Sequence, residues 1–387
     1  MSVFVPILWL SLLLAALVVE RVLVRRSRDG LTVVVHVGGT RGKTSITRYI
    51  AAGLRAAGLR VCAKVTGSHA LRIGLDGRVE GIKRRGSPRV QEQFRILRWA
   101  ARQGAEGLVI ECMSIDPEFQ RVESRHLKPH LFVLARVRDD HREHLGDPDA
   151  QIAAMCEAIP SHAAVLTDDS RHIEAIGRAA TERGSRVVAL SASDLNGIGD
   201  VPEGAHRENV ALALRACLEV GAERERALAG ILDEATQRTE GSRAVPLRNG
   251  RSWFVDGFAV NDVESAGNFL DVWRARLGPV DGLVVLLNTR SDRPLRSGTF
   301  AEWLPQVRGL NRVILMGDHT PWTRRALKRY GMADELITVW KDSQVRSPRD
   351  ALEDVVRDRF LVAGLGNTHG SGLTVVSALE GRDQSHV

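Results

Sequence analysis

The segment Gly38-Gly39-Thr40-Arg41-Gly42-Lys43-Thr44-Ser45 brings together three residue types that grip a polyphosphate: glycines, an amine and hydroxyls. Glycines let backbone N–H groups approach phosphate oxygens, and Lys43 would neutralise the charge on the β- and γ-phosphates. The hydroxyl of Thr44 or Ser45 would hold Mg²⁺. The chemistry these residues point to is binding of a nucleoside triphosphate. Such a loop works only between a strand and a helix. Residues 33–37 form an apolar β-branched run that predicts a buried strand, and residues 46–57 carry apolar residues at helical spacing. Three residues separate Gly38 from Gly42, one fewer than in the general phosphate-loop pattern.

A second constellation is Glu111 and His141, each at or just past the C-terminal end of a run that predicts a buried strand. That is the edge at which the phosphate loop also lies, and a carboxylate there suits Mg²⁺, which prefers a few carboxylates plus phosphate oxygens. Around His141, the segment Arg138-Asp139-Asp140-His141-Arg142-Glu143-His144 is dense in ligand-type residues.

Positioning these groups requires alternating strands and helices, and the chain supplies them. Strands are predicted at 60–65, 108–112, 131–137, 164–167 and 186–190, with helices at 92–103, 149–159 and 170–183 between them. Two more helices, at 209–220 and 224–236, close this first series. The stretch from 66 to 86 reads as loop, and no element is predicted between 113 and 130. After a turn-rich break at 241–250, a second series has strands at 253–255, 283–288, 312–316, 335–339 and 360–364. The pattern predicts two α/β domains, 29–240 and 241–387, built on parallel sheets, with the nucleotide in the cleft between them.

The remaining N-terminal stretch, 1–28, reads as a membrane anchor. Residues 3–19 are uncharged and apolar, and Arg21, Arg25, Arg26 and Arg28 follow. This is a span candidate at the short end, with its basic flank in the cytoplasm. A secretory signal is the alternative, disfavoured because no basic residue precedes the run. The catalytic domains are therefore expected on the cytoplasmic side of a single-pass anchor.

Over 387 residues the net charge is +7, and only six of the 54 basic residues are lysine. A basic surface suits a polyanion, an anionic membrane or an acidic substrate, although arginine richness also follows from genome composition. Nucleic acid is not indicated, since no recognised binding motif is present. Cys62, Cys112, Cys156 and Cys217 form no CxxC pair and read as buried apolar residues in a reducing compartment.

The compact loop resembles that of the Mur ligase superfamily. Along essentially the whole chain the sequence is similar to the membrane-anchored catalytic subunits of poly-γ-glutamate synthases within that superfamily. The residues that carry the likeness are Gly39 to Thr44, Ile82-Lys83-Arg84 with Glu92-Gln93, Glu111-Cys112-Met113 with Pro117, and Asp140-His141 with Gly146. Others are Arg243, Asp256-Gly257-Phe258 with Asn261-Asp262, Asn288 with Asp292-Arg293, and Gly366-Asn367 with His369-Gly370. The resemblance implies ATP and Mg²⁺ as cofactors, Lys43 and Thr44 on the phosphates and the first metal, Glu111 on that metal and His141 near a second. It also implies Asn209 at the adenine, Arg243 at the phosphates from between the domains, and Asp256 in the C-terminal domain's share of the site.

The implied reaction is phosphorylation of a glutamyl γ-carboxylate by ATP, followed by attack of the α-amine of the next glutamate. The expected partners are glutamate, the growing poly-γ-glutamate chain and small integral membrane subunits; homo-oligomerisation stays open. The basic segment at 83–89 could steer the acidic chain. Two departures stand out. Many Mur ligases carry a carbamylated lysine after the histidine, but no lysine occurs between Lys128 and Lys328. The nucleotide-sugar domain of the cell-wall ligases is not expected either, since the loop begins at Gly38. Rival readings are a ligase for another amino acid or acceptor and a membrane-tethered ATP-binding scaffold.

Overall fold

The apolar run before the glycines folds as a strand, β1 (Val33–Gly38), buried along its whole length, and Lys43–Ala56 forms the helix α2 beyond the loop. The computed structural model describes residues 4–66, 70–84, 89–114, 116–137, 148–202, 204–241, 244–260 and 262–381. His141, Arg243 and Asn261 lie outside the described residues, as does the whole of the acidic and histidine-rich segment around His141. The chain divides into two units, Met1–Gln237 and Arg238–Val387.

In the first unit, β1 joins β2 (Val61–Val65), β3 (Leu71–Ile73), β4 (Val79–Gly81), β5 (Gly107–Glu111), β6 (Leu131–Leu134), β7 (Ala164–Thr167) and β8 (Arg186–Ala189). They form one sheet in the order β4-β3-β2-β5-β1-β6-β7-β8. All pairings from β2 to β8 are parallel, whereas β3 and β4 add an antiparallel edge. The chain leaves β1 toward β2 on one side and later returns to build β6 to β8 on the other. The order reverses at β1, so the loop after it opens into the crevice where α/β sheets bind ligands.

Strand periodicity sends alternate side chains to two cores. Val33, Val35, Val37 and Val109 pack with Ile46 and Ile50 of α2 and with Val210 and Leu214 of the helix Arg207–Glu219. Val34, Leu108 and Ile110 pack on the opposite face under α3 (Gln91–Arg102) and α4 (Pro117–Leu127), against Ile96, Leu97 and Leu127. The N-terminal helix α1 (Phe4–Asp29) docks by its last turns only. Val24 is buried in this second core, while Ile7 to Val19 expose their large apolar side chains. Ile7–Asp29 is long and apolar enough to cross a membrane. Arg28 fastens the docked end by donating Nε to the carbonyls of Leu127 at 2.7 Å and Lys128 at 3.0 Å.

The second unit holds a sheet ordered β13-β12-β11-β14-β10-β9, comprising β9 (Val245–Leu247), β10 (Ser252–Asp256), β11 (Gly282–Thr289), β12 (Leu310–Gly317), β13 (Ile337–Val339) and β14 (Phe360–Leu365). All pairings are parallel except β9 with β10. Three expectations need correction. The stretch read as loop after β2 contains the β3–β4 hairpin, the gap after β5 contains α4, and the turn-rich break contains β9.

Candidate functional site

Backbone geometry explains the glycines of the loop. Gly39 and Gly42 sit at φ +116° and +75°, in the left-handed region that side-chain-bearing residues rarely adopt. Space is short as well: a Cβ on Gly39 would lie 2.6 Å from the Ala135 carbonyl oxygen, and one on Gly42 would lie 2.8 Å from Asn209 Oδ1 and displace that side chain. Asn209, in the first turn of the helix Arg207–Glu219, thus stands directly against the loop where α2 begins. Gly42 is the N-cap of α2 and no side chain caps its first turn, so the positive end of the helix faces the loop.

Within this frame Lys43 Nζ donates to the Gly39 carbonyl at 2.8 Å, and Thr40 Oγ1 donates to the Arg136 carbonyl at 3.4 Å. Arg41 and Ser45 are half-buried on the same loop and first turn. Register places Val37 of β1 opposite Glu111 of β5. The Thr44 hydroxyl consequently reaches both carboxylate oxygens of Glu111, at 3.0 and 3.1 Å, and the carboxylate also accepts from the Thr66 backbone N–H at 2.6 Å. A hydroxyl and a carboxylate meeting beside a lysine at the mouth of a glycine loop are the hard oxygen donors that a small divalent cation takes together with phosphate. The residues fit that group.

Asp256, the last residue of β10, is exposed and accepts from the Phe258 N–H at 3.0 Å, as in a turn at a strand end. In the same unit Asn288 donates to the carbonyls of Asn367 at 2.5 Å and His369 at 2.8 Å, and Arg296 donates to Asn367 Oδ1 at 2.7 Å. Residues far apart in sequence thereby meet at the C-terminal ends of β11 and β14.

Behind β5, on the face opposite the loop, lies a polar cluster that sequence reasoning missed. Gln93 of α3 donates to the Glu111 carbonyl at 3.0 Å and to Glu123 Oε2 of α4 at 2.8 Å. Fully buried Lys64 donates to Gln93 Oε1 at 2.8 Å and pairs with Glu92 at 2.9 Å, and Arg84 reaches Glu92 from outside at 2.7 Å. Burial alone would raise the Glu92 carboxyl, but hydrogen bonds from Arg84 and the charge of Lys64 outweigh it and hold the group at about 2. Burial lowers Lys64, opposed by Glu92.

Burial likewise opposes ionisation of Glu123, yet His36 beside it and hydrogen bonds from Ser114 and Gln93 keep its carboxyl below the usual range. His36, Cys112 and Glu123 offer ligand atoms within 4.8 Å of one another. Their chemistry suits structure better than a metal: Glu123 already accepts from Gln93, Ser114 and the Met113 N–H, and burial pushes the Cys112 thiol well up, so it stays protonated. The signal in the sequence was one histidine in the strand Val33–Gly38 and one lysine in Val61–Val65, polar intrusions into runs buried on both faces.

Two family models match the chain: the Mur ligase middle domain over residues 37–213 and the poly-gamma-glutamate synthase CapB C-terminal domain over residues 244–382. The two matches follow one another along the chain and together support a CapB-type protein of the Mur ligase superfamily. Its curated relatives include PGA synthase CapB of Bacillus subtilis (strain 168), 28% identical over 96% of this chain and 98% of that protein. Another is capsule biosynthesis protein CapB of Bacillus anthracis, 26% identical over 91% and 77% of the two chains.

Among solved structures, Escherichia coli FolC in complex with ADP superposes with a TM-score of 0.67 at 17% identity, covering 94% of both chains. MurF from Acinetobacter baumannii gives 0.64 at 12%, covering 94% of this chain and 79% of that one. These likenesses show the same fold.

Proposed function

We propose that this protein is an ATP-dependent amide ligase that polymerises glutamate through γ-linked bonds by way of an acyl phosphate. The observation that carries the nucleotide half of this reading is the Thr44 hydroxyl held on both oxygens of Glu111 beside Lys43. Likeness to the CapB proteins supports the substrate half. The Bacillus subtilis relative is a PGA synthase of nearly the same length, and a similar fold from Yersinia pestis was solved with AMPPNP and a Mn ion.

In this reading Gly39, Thr40, Arg41, Gly42 and Ser45 shape the phosphate cradle, and Lys43 neutralises the γ-phosphate as the glutamyl γ-carboxylate attacks it. Thr44 and Glu111 hold Mg²⁺, which supplies charge stabilisation on the phosphate oxygens when bound. Asn209, against the loop, contributes to nucleotide binding, and His141, Arg243 and Asp256 complete the set assigned by resemblance. The α-amine of the incoming glutamate then attacks the acyl phosphate, forming the amide and releasing phosphate, with ADP as the second product. The helix α1 anchors the protein in the cytoplasmic membrane with the catalytic units on the cytoplasmic side. Small membrane subunits, and further copies of the chain, are the expected partners.

The test uses membranes carrying the full chain with its partner subunits, Mg-ATP, labelled glutamate and hydroxylamine. Glutamyl hydroxamate or γ-linked polymer forms with the wild type and not with Lys43→Ala. ATP hydrolysis without glutamate incorporation would reject glutamate as substrate and favour another amino acid or a scaffold.

A further inference from the structure

Away from the phosphate loop, the first unit holds a cavity of 1170 Å³ whose cations come from separate stretches of sequence. Arg72 is on β3, Lys83, Arg84 and Arg89 flank the segment after β4, and Arg95 and Arg102 lie on α3. Helical spacing puts Glu92, Arg95, Trp99 and Arg102 on one side of α3, so its two arginines stand about 10 Å apart along the axis.

The floor of this basin is tied into the fold. Arg84 pairs with Glu92 and through it with Lys64, and Arg72 pairs with Glu80 at 2.7 Å while lying 5.1 Å from the centre of the Trp99 ring. The rim is different. Lys83, Arg89, Arg95 and Arg102 have no carboxylate partner among the described residues. Four uncompensated cations facing one concavity concentrate positive potential there, an arrangement suited to a ligand that brings several negative charges at intervals.

We infer that this basin binds an acidic polymer, the γ-glutamyl chain itself, laid along α3 with its free carboxylates on the rim cations. The inference rests on the ligase reading for the identity of the polymer. An anionic lipid headgroup fits less well. The residue that α1 contributes to the wall is Glu20, directly after the apolar run, while Arg21, Arg25 and Arg28 of the same helix line a separate cavity of 490 Å³. A headgroup entering from the membrane edge would meet an acid first.

The experiment measures binding without turnover. Full-length protein in nanodiscs of neutral phosphatidylcholine is titrated into fluorescent γ-glutamyl oligomers, and anisotropy is read. Affinity is expected to rise with oligomer length and fall with salt. It is expected to drop about tenfold or more in the Arg95→Gln/Arg102→Gln double variant, and to persist in Lys43→Ala. Arg89→Glu, at an exposed position outside the helix, provides the same test should the α3 double variant fail to fold.

Equal binding by wild type and the rim variants overturns the proposal. So does oligomer binding no tighter than that of free glutamate. A third refutation is unchanged oligomer binding with selective loss of binding to phosphatidylglycerol vesicles, which would make the basin a headgroup site. The hydroxamate assay fails independently: oligomer binding that depends on the rim, without glutamyl hydroxamate, keeps the basin and removes the reaction.

Discussion

At the end of β5, neighbouring residues meet opposite surroundings. Glu111 faces the phosphate loop, where Lys43 and Thr44 are half-buried, whereas behind the same strand His36, Lys64, Gln93 and Glu123 are sealed from solvent. In front, the donors and acceptors that would meet a ligand are held by one another and by the loop's own carbonyl. Behind, Gln93 spends one donor on the Glu111 carbonyl and another on Glu123, fixing the strand to α4. Lys43 and Thr44 keep partial access to solvent around a Glu111 that is itself 3% exposed, and rigidity is drawn from a polar cluster sealed behind it.

The contrast predicts different failures for the two faces. Lys43→Ala is expected to lower ligation about 10³-fold or more with far-UV circular dichroism unchanged; loss of the fold would make the front face structural too. Glu123→Ala removes the carboxylate that Gln93, Ser114 and the Met113 N–H share, and should cost about 3 kcal/mol in urea unfolding. Thr44→Val should cost no more than about 1.5 kcal/mol while abolishing divalent-metal-dependent activity. If Thr44→Val proved the more destabilising of these two, the division between faces would collapse.

Gly42→Ala combines a left-handed backbone with the approach to Asn209, so about 1 kcal/mol of stability should go, together with weaker nucleotide binding by calorimetry. The smallest effect is on pH dependence. Glu92 is held at about 2 in the folded chain, so the stability it contributes is complete above its unfolded value of about 4.3 and is lost as pH falls through 2. Glu92→Gln should therefore flatten the acid limb of a stability profile in that window and leave its neutral limb parallel to wild type.

The elements around the loop were legible because their signals are local: β-branched apolar residues for β1, glycines for the turn, apolar spacing for α2. The helix α4 was not, since its buried face carries Gln120, Glu123 and Ser124 beside Leu127. A helix that docks through polar groups has no apolar period to read. The β3–β4 hairpin escaped for a related reason: each strand has three residues, and those of β4 are all exposed. At the site, Thr44 and Glu111 were readable from strand ends and residue type. Gln93 as the brace behind Glu111 needed the third dimension, because only folding brings α3, β5 and α4 to one point.

Only residues 30–32 separate the end of α1 at Asp29 from the start of β1 at Val33, and Arg28 clamps that junction to the end of α4. So short and fastened a link couples the direction of α1 to that of the sheet. In the membrane-anchored arrangement proposed above, the tilt of α1 would set the angle at which the phosphate loop looks back at the bilayer. Hydrocarbon thickness, which governs the tilt of a spanning helix, would then become a control on the orientation of the catalytic edge.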